Sequence, residues 1–306
     1  MSPLDQRVDG ILIPVIRREF EDLCKWLSCI PRPSLLSDTV LFISIDSSWH
    51  SNEKDKIRSI ISSRGDWFRD ILFIDCCIPD HESVYLREDP CENHSANSLR
   101  YGHKSGPNKQ FFVGQNRVME TRQIKKSLLQ IEVDAFPLKP LWLDALNQEL
   151  LHCSPFLLAG SHYHGGSDLL PDIKYHINGN AVYGQSHPSF GFFIATWEAF
   201  LVELVLHGCA RHLAYDVFLE WACYYRSNQD IALFRDKQFR QLLAVYKEYV
   251  ITINSLLNMG GKAESTDPYS VSLDLIQKKY FKAEIIHCRA IKRDWEKFQS
   301  FFGLHR

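Results

Sequence analysis

LLQIEVDAFPLKPLWL, residues Leu128 to Leu143, decides how the rest of the chain is read. Its opening apolar run predicts a strand that leads directly into two acids, Glu132 and Asp134, on either side of Val133. In an extended chain alternate side chains share a face, so both carboxylates would point the same way while Val133 turns into the core. Two carboxylates together at a strand end can hold a hard divalent cation, and such a cation can bridge the phosphates of a nucleoside diphosphate. Phe136-Pro137 and the amphipathic Leu141-Trp142-Leu143 follow, and the latter predict the start of a helix.

Upstream, GILIPVI (Gly10–Ile16) predicts a first strand, and the apolar spacing of Arg17–Leu27 a helix. TVLFISI (Thr39–Ile45) predicts a second strand ending in Asp46-Ser47-Ser48, a charged helix follows over Glu53–Arg64, and Asp70–Asp75 reads as a third strand. This β-α-β-α-β order calls for a parallel sheet, and ligands of open α/β sheets bind at the carboxyl ends of the strands. The polar stretch Pro79–Lys109 reads as a long loop, and Asn108–Ser127 as a helix leading to the acidic strand.

Downstream, PFLLAG (Pro155–Gly160) predicts a fifth strand, followed by a loop over Ser161–Asp172 and the segment HINGNAVYG (His176–Gly184). Trp197, Phe200, Leu201, Leu204 and Val205 share one helix face. Leu242, Leu243, Tyr246, Tyr249, Val250 and Ile253 share another, on a helix that Gly260-Gly261 would stop. A last strand is predicted over Ala283–His287.

Composition narrows the class. The 306 residues are 45% hydrophobic and 24% charged, ordinary for a globular chain, and no linker divides them. One domain over 1–306 is expected. The net charge of −2 arises from interspersed charges and offers no field for nucleic acid. Nine scattered cysteines without zinc spacing fit a reducing cytoplasm. The polar first ten residues carry no signal-peptide core and no run is long enough to span a bilayer. The expected location is cytoplasmic, a peripheral contact with a membrane or a membrane-associated acceptor being compatible with it.

With those residues in view, the chain resembles the GT-A glycosyltransferases, which carry an Asp-any-Asp motif or an acidic variant of it after a hydrophobic strand near mid-domain. IEVDAFPLKPLWL is similar to that segment, as are GILIPVI at the start and GPNKQFF (Gly106–Phe112) before the motif strand. The resemblance implies a Rossmann-like three-layer α/β sandwich with a mainly parallel central sheet. It also implies a nucleotide-diphosphate sugar as donor, a glycan or other hydroxyl acceptor, and Mn²⁺ or Mg²⁺ as cofactor, with a nucleotide- and metal-binding part over about 8–145 and an acceptor-binding part over about 146–306. Glu132 stands where the family more usually has Asp, so Asp134 is the firmer metal ligand. The family's late metal-binding His and diphosphate-binding Lys are matched by His287 and Lys292 in IIHCRAIKRDW. Asn178, Asn180 and Tyr183 are candidate sugar contacts, since similar Asn-Gly segments border the donor sugar. Pro14, Ile16, Arg17 and the Asp46-Ser47 corner are candidates for holding the nucleotide. An inverting transfer needs a base, and Asp216 and Glu220, four apart in AYDVFLEWA, are the candidates.

Two rival readings follow from other residues. His162, His164 and Asp168 in SHYHGGSD would hold zinc if they converged, making the chain a metal-dependent hydrolase. The Glu in the acidic motif would suit a non-catalytic, carbohydrate-binding subunit of the same fold.

Overall fold

The structure is a computed structural model that describes residues 4–79, 100–153, 155–164, 170, 174–209, 211–225, 232–260 and 278–288. Its centre is a seven-stranded sheet built from β1 (Val8–Val15), β2 (Val40–Ile45), β3 (Asp70–Asp75), β4 (Ser127–Gln130), β6 (Leu158–Gly160), β7 (Ala181–Tyr183) and β8 (Val250–Thr252), in the order β3-β2-β1-β4-β7-β6-β8. Every neighbouring pair is parallel except those made by β7, which runs against both β4 and β6. A second, three-stranded sheet places β10 (Ile285–Cys288) between β5 (Ala135–Pro137) and β9 (Leu256–Gly260).

All six residues of β2 are buried, which is why VLFISI reads as an unbroken apolar run rather than an alternating one. The sheet has a core on each face. On one, Ile11, Ile13, Leu41 and Ile43 pack with Leu23, Trp26, Ile57 and Ile61 from helices α1 (Phe20–Cys29) and α2 (Ser51–Ser62). On the other, Leu12 and Phe42 pack with Phe111 and Phe112 of α3 (Ser105–Thr121) and with apolar residues of α5 (Phe190–Leu206), α6 (Tyr215–Tyr225) and α7 (Lys237–Tyr249). Helix α4 (Trp142–Leu150) joins the first core through the fully buried Trp142. Helices on both faces of a mainly parallel sheet make the three-layer α/β arrangement expected.

Several elements depart from the sequence expectation. The helix through Tyr249 stops there, and Val250, expected on its apolar face, begins β8 instead. Gly260 closes a strand, β9, rather than a helix. The first helix begins as a 3-10 turn at Arg17–Glu19, and β4 ends at Gln130, so the acidic motif lies beyond the strand. Strands β7 and β8 have three residues each, too few for alternation to register in the sequence.

Candidate functional site

Strand β1 has β2 on one side and β4 on the other, so the direction of winding reverses between β1 and β4. That reversal opens a crevice at the carboxyl ends of the two strands, where open α/β sheets bind ligands. A cleft lies there, lined by Pro14 and Ile16 from the end of β1, Gln130, Glu132 and Asp134 from the end of β4, and Tyr215 from α6. The fold places the acidic motif at the mouth of its own switch point.

Glu132 and Asp134 occupy a turn closed by the Ala135 N–H donating to the Glu132 carbonyl at 3.0 Å, not the extended pleat expected. Val133 is buried as predicted, and the turn still brings the two carboxylates together. The second sheet supplies the third member. Antiparallel pairing sets His287 of β10 opposite Ala135 of β5, and the Cys288 N–H donates to the Asp134 carbonyl at 3.2 Å. His287 Nε2 then lies 3.4 Å from Asp134 Oδ1. One ligand atom each from Glu132, Asp134 and His287 fall within 4.8 Å of one another, the one such grouping with metal-ligating chemistry among the described residues. Two carboxylates and an imidazole form a donor set that fits Mg²⁺ or Mn²⁺.

Asparagines brace this triad. The Glu132 N–H donates to Asn180 Oδ1 at 2.6 Å, while Asn180 Nδ2 reaches Glu132 Oε2 at 3.3 Å and Asn178 Oδ1 at 2.7 Å. Both amides, expected at the sugar, are thus engaged in shaping the loop that holds Glu132. Asn258 of β9 meets His287 Nδ1 at 3.0 Å. Burial, reinforced by the neighbouring Asp134 charge and opposed by His287, pushes the Glu132 carboxyl up to about 7.

Asp216 lies behind the same loop. Its carboxylate accepts from the Gly179 N–H at 3.1 Å and lies 3.5 Å from His176 Nε2. Burial alone would raise its pKa, but the bonds to His176 and Gly179 outweigh burial and hold it below the usual range. Glu220, one turn further along α6, accepts instead from the Tyr246 hydroxyl of α7 at 3.2 Å. The two acids share a helix and have separate surroundings.

Of the remaining candidates, Tyr183 is 1% exposed and donates to the Gly179 carbonyl at 3.3 Å, so it supports the loop from within the core and does not line the cleft. The guanidinium of Arg17 is held by Glu53, Ser47 and the Ser48 carbonyl, and the Arg17 backbone N–H donates to Asp46 Oδ1 at 2.9 Å. Arg17 and Asp46 therefore tie the end of β1 to the end of β2. Lys292 lies outside the described residues. The zinc-hydrolase alternative finds no support: the His162 and His164 rings pack edge-on against Tyr175 and Tyr280, and Asp168 lies outside the described residues.

No family model and no curated protein matches this chain. Among solved structures, it is similar in chain arrangement to apo mouse xyloside xylosyltransferase 1, with a TM-score of 0.49 at 10% identity over 92% of this chain and 98% of that one. The galactosyltransferase LgtC in complex with donor and acceptor sugar analogs aligns with a TM-score of 0.49 at 12% identity, over 96% and 95% of the two chains. The mannosyltransferase Ktr4p from S. cerevisiae, in complex with GDP, aligns at 0.40 with 12% identity, over 70% of this chain and 64% of that one. These likenesses concern the course of the chain and bear on no individual side chain.

Sequence reasoning missed Gln130 and Tyr215. Gln130 reads as an ordinary strand residue, yet its Nε2 donates to the Gly179 carbonyl at 3.1 Å and the Tyr215 hydroxyl at 2.8 Å. Tyr215 stacks on Phe111 with centroids 3.9 Å apart and planes 7° from parallel. The loop is close-fitted against this pair: a Cβ at Gly179 would sit 2.0 Å from the Tyr215 hydroxyl oxygen. A polar residue interrupting the apolar run Leu128–Ile131 was the one available signal for Gln130.

Proposed function

We propose that this chain is a glycosyltransferase that moves a sugar from a nucleotide-diphosphate sugar to a hydroxyl group of a glycan or other acceptor, assisted by Mn²⁺ or Mg²⁺. The observation that carries this reading is the convergence of Glu132, Asp134 and His287 at the sheet's switch point. The described lining of the cleft contains three carboxylates, Glu19, Glu132 and Asp134, and no lysine or arginine. Such a surface repels a free diphosphate and accepts one whose charge is offset by a cation.

In this reading Asp134, Glu132 and His287 hold the cation, which when bound would offset charge on the departing diphosphate. Pro14 and Ile16 line the part of the cleft proposed for the nucleotide, with Arg17 and Asp46 shaping the corner behind them. Lys292 is proposed as a further positive charge for the diphosphate. The loop bearing Asn178 and Asn180 sets the position of Glu132 and so of the donor. Asp216 is proposed as the base over Glu220 because it stands at the loop that braces Glu132, accepting from the Gly179 N–H, whereas Glu220 faces Tyr246 of α7. A cytoplasmic site of action fits the eight described cysteines, none of which is joined to another in a disulfide. No described helix is long and apolar enough to cross a membrane.

A thermal-shift panel of nucleoside diphosphates and nucleotide sugars, with and without Mn²⁺, tests the proposal, since a ligand that binds only the folded chain raises its apparent stability. One nucleotide class should stabilise the protein only with the metal, and Asp134→Ala should abolish that response. A folded protein indifferent to every nucleotide would sink the reading.

A further inference from the structure

Asn258 is 4% exposed and held by its backbone as well as its side chain. Its N–H donates to Ser161 Oγ at 3.1 Å, its carbonyl accepts from the His164 N–H at 2.8 Å, and Tyr163 forms a β-bridge to it. The segment 161–164, conspicuous in sequence for its histidines, thus fixes Asn258 through main-chain and hydroxyl contacts rather than through imidazoles. The parallel register of β9 and β10 sets Asn258 beside His287, and its side-chain oxygen meets His287 Nδ1 at 3.0 Å.

We infer that Asn258 is a positioning residue of the metal centre: its carbonyl oxygen fixes the tautomer and ring orientation of His287, so that Nε2 offers a lone pair beside Asp134 and Glu132. This rests on the metal site proposed above. The chemistry is direct. An amide oxygen can only accept, so Nδ1 carries the hydrogen, and in a neutral imidazole the other nitrogen is then the unprotonated one. Metal-binding histidines commonly donate their second ring nitrogen to an oxygen acceptor, and loss of that acceptor weakens metal binding by about 10- to 100-fold. Asn258 supplies such an acceptor from a strand anchored on both sides, and Nε2 points at Asp134, 3.4 Å away.

The test uses the full chain, with three readouts: Mn²⁺ affinity by titration calorimetry, His287 nitrogen shifts by ¹⁵N NMR at pH 8.5, and fold by circular dichroism. In the wild type, His287 should be neutral with its hydrogen on Nδ1. Asn258→Leu, similar in size but unable to accept, should lose that tautomer preference and bind Mn²⁺ about 10- to 100-fold more weakly. Asn258→Asp keeps the acceptor and should retain both the tautomer and the affinity. An Nε2–H tautomer in the wild type overturns the inference without any variant, which covers the case of a Leu variant that does not fold. A folded Asn258→Leu that binds Mn²⁺ as tightly as wild type overturns it too and leaves the metal site standing. A wild type that binds no Mn²⁺ overturns the metal site itself and this inference with it.

Discussion

The protonation of Glu132 should be visible in the stability of the metal-free protein. Its carboxyl titrates near 7 when folded, against 4.5 ordinarily, so between those values the native chain holds a proton that the unfolded chain has released. Stability therefore falls as pH rises through that window and levels off above it, with a contribution on the order of 3 kcal/mol. Glu132→Gln cannot titrate, so the variant should gain on wild type between pH 5 and pH 8 in metal-free urea unfolding, and saturating Mn²⁺ should narrow the gap at pH 8. Parallel pH curves for the two proteins would contradict the assignment. The acids themselves were legible in the sequence because they are neighbours at a strand end. The partners that set their properties were not: Asn180 lies 48 residues from Glu132, and Asn258 lies 29 from His287.

At the scale of elements, the small sheet is what turns a local acid pair into a three-residue centre. Strand β5 continues from the acidic turn, and β10 pairs with it to bring His287 alongside Asp134. Helix α1 secures this join, since the indole N–H of Trp26, itself 4% exposed, donates to the Ala135 carbonyl at 2.8 Å. Trp26→Phe keeps most of the buried ring and removes the donor, so it should cost about 1 kcal/mol in urea unfolding. It should also weaken Mn²⁺ binding several-fold, because the loosened carbonyl belongs to the residue following Asp134. A stability loss with unchanged Mn²⁺ affinity would show that the turn is held without α1. The larger elements could be read from sequence because strands such as VLFISI and the heavily apolar α5 carry strong patterns. The short strands could not, because a three-residue segment takes its structure from its neighbours in the sheet rather than from its own periodicity.

At the scale of the molecule, the nucleotide-side and acceptor-side parts expected from sequence share one sheet. The outer edge of β4 is covered by β7, where Leu128 pairs with Tyr183, and β6 and β8 extend the sheet beyond it. Phe111 from the first half packs against Tyr183, Trp197 and Tyr215 from the second. Polar contacts cross as well: Gln6 bonds the backbone of Phe156 in both directions at 2.7 and 2.8 Å, and Glu149 accepts from Asn254 and Ser255. Cut near residue 150, the first half would expose the edge of β4 and one of its two cores, an arrangement that invites aggregation rather than independent folding. A fragment of residues 1–150 should therefore show no cooperative thermal transition, and co-expression with residues 151–306 should restore one together with Mn²⁺ binding, since His287 comes from the second piece. Cooperative unfolding of the 1–150 fragment alone would mean that the first core suffices, and that β7, β6 and β8 are additions to a sheet already stable without them.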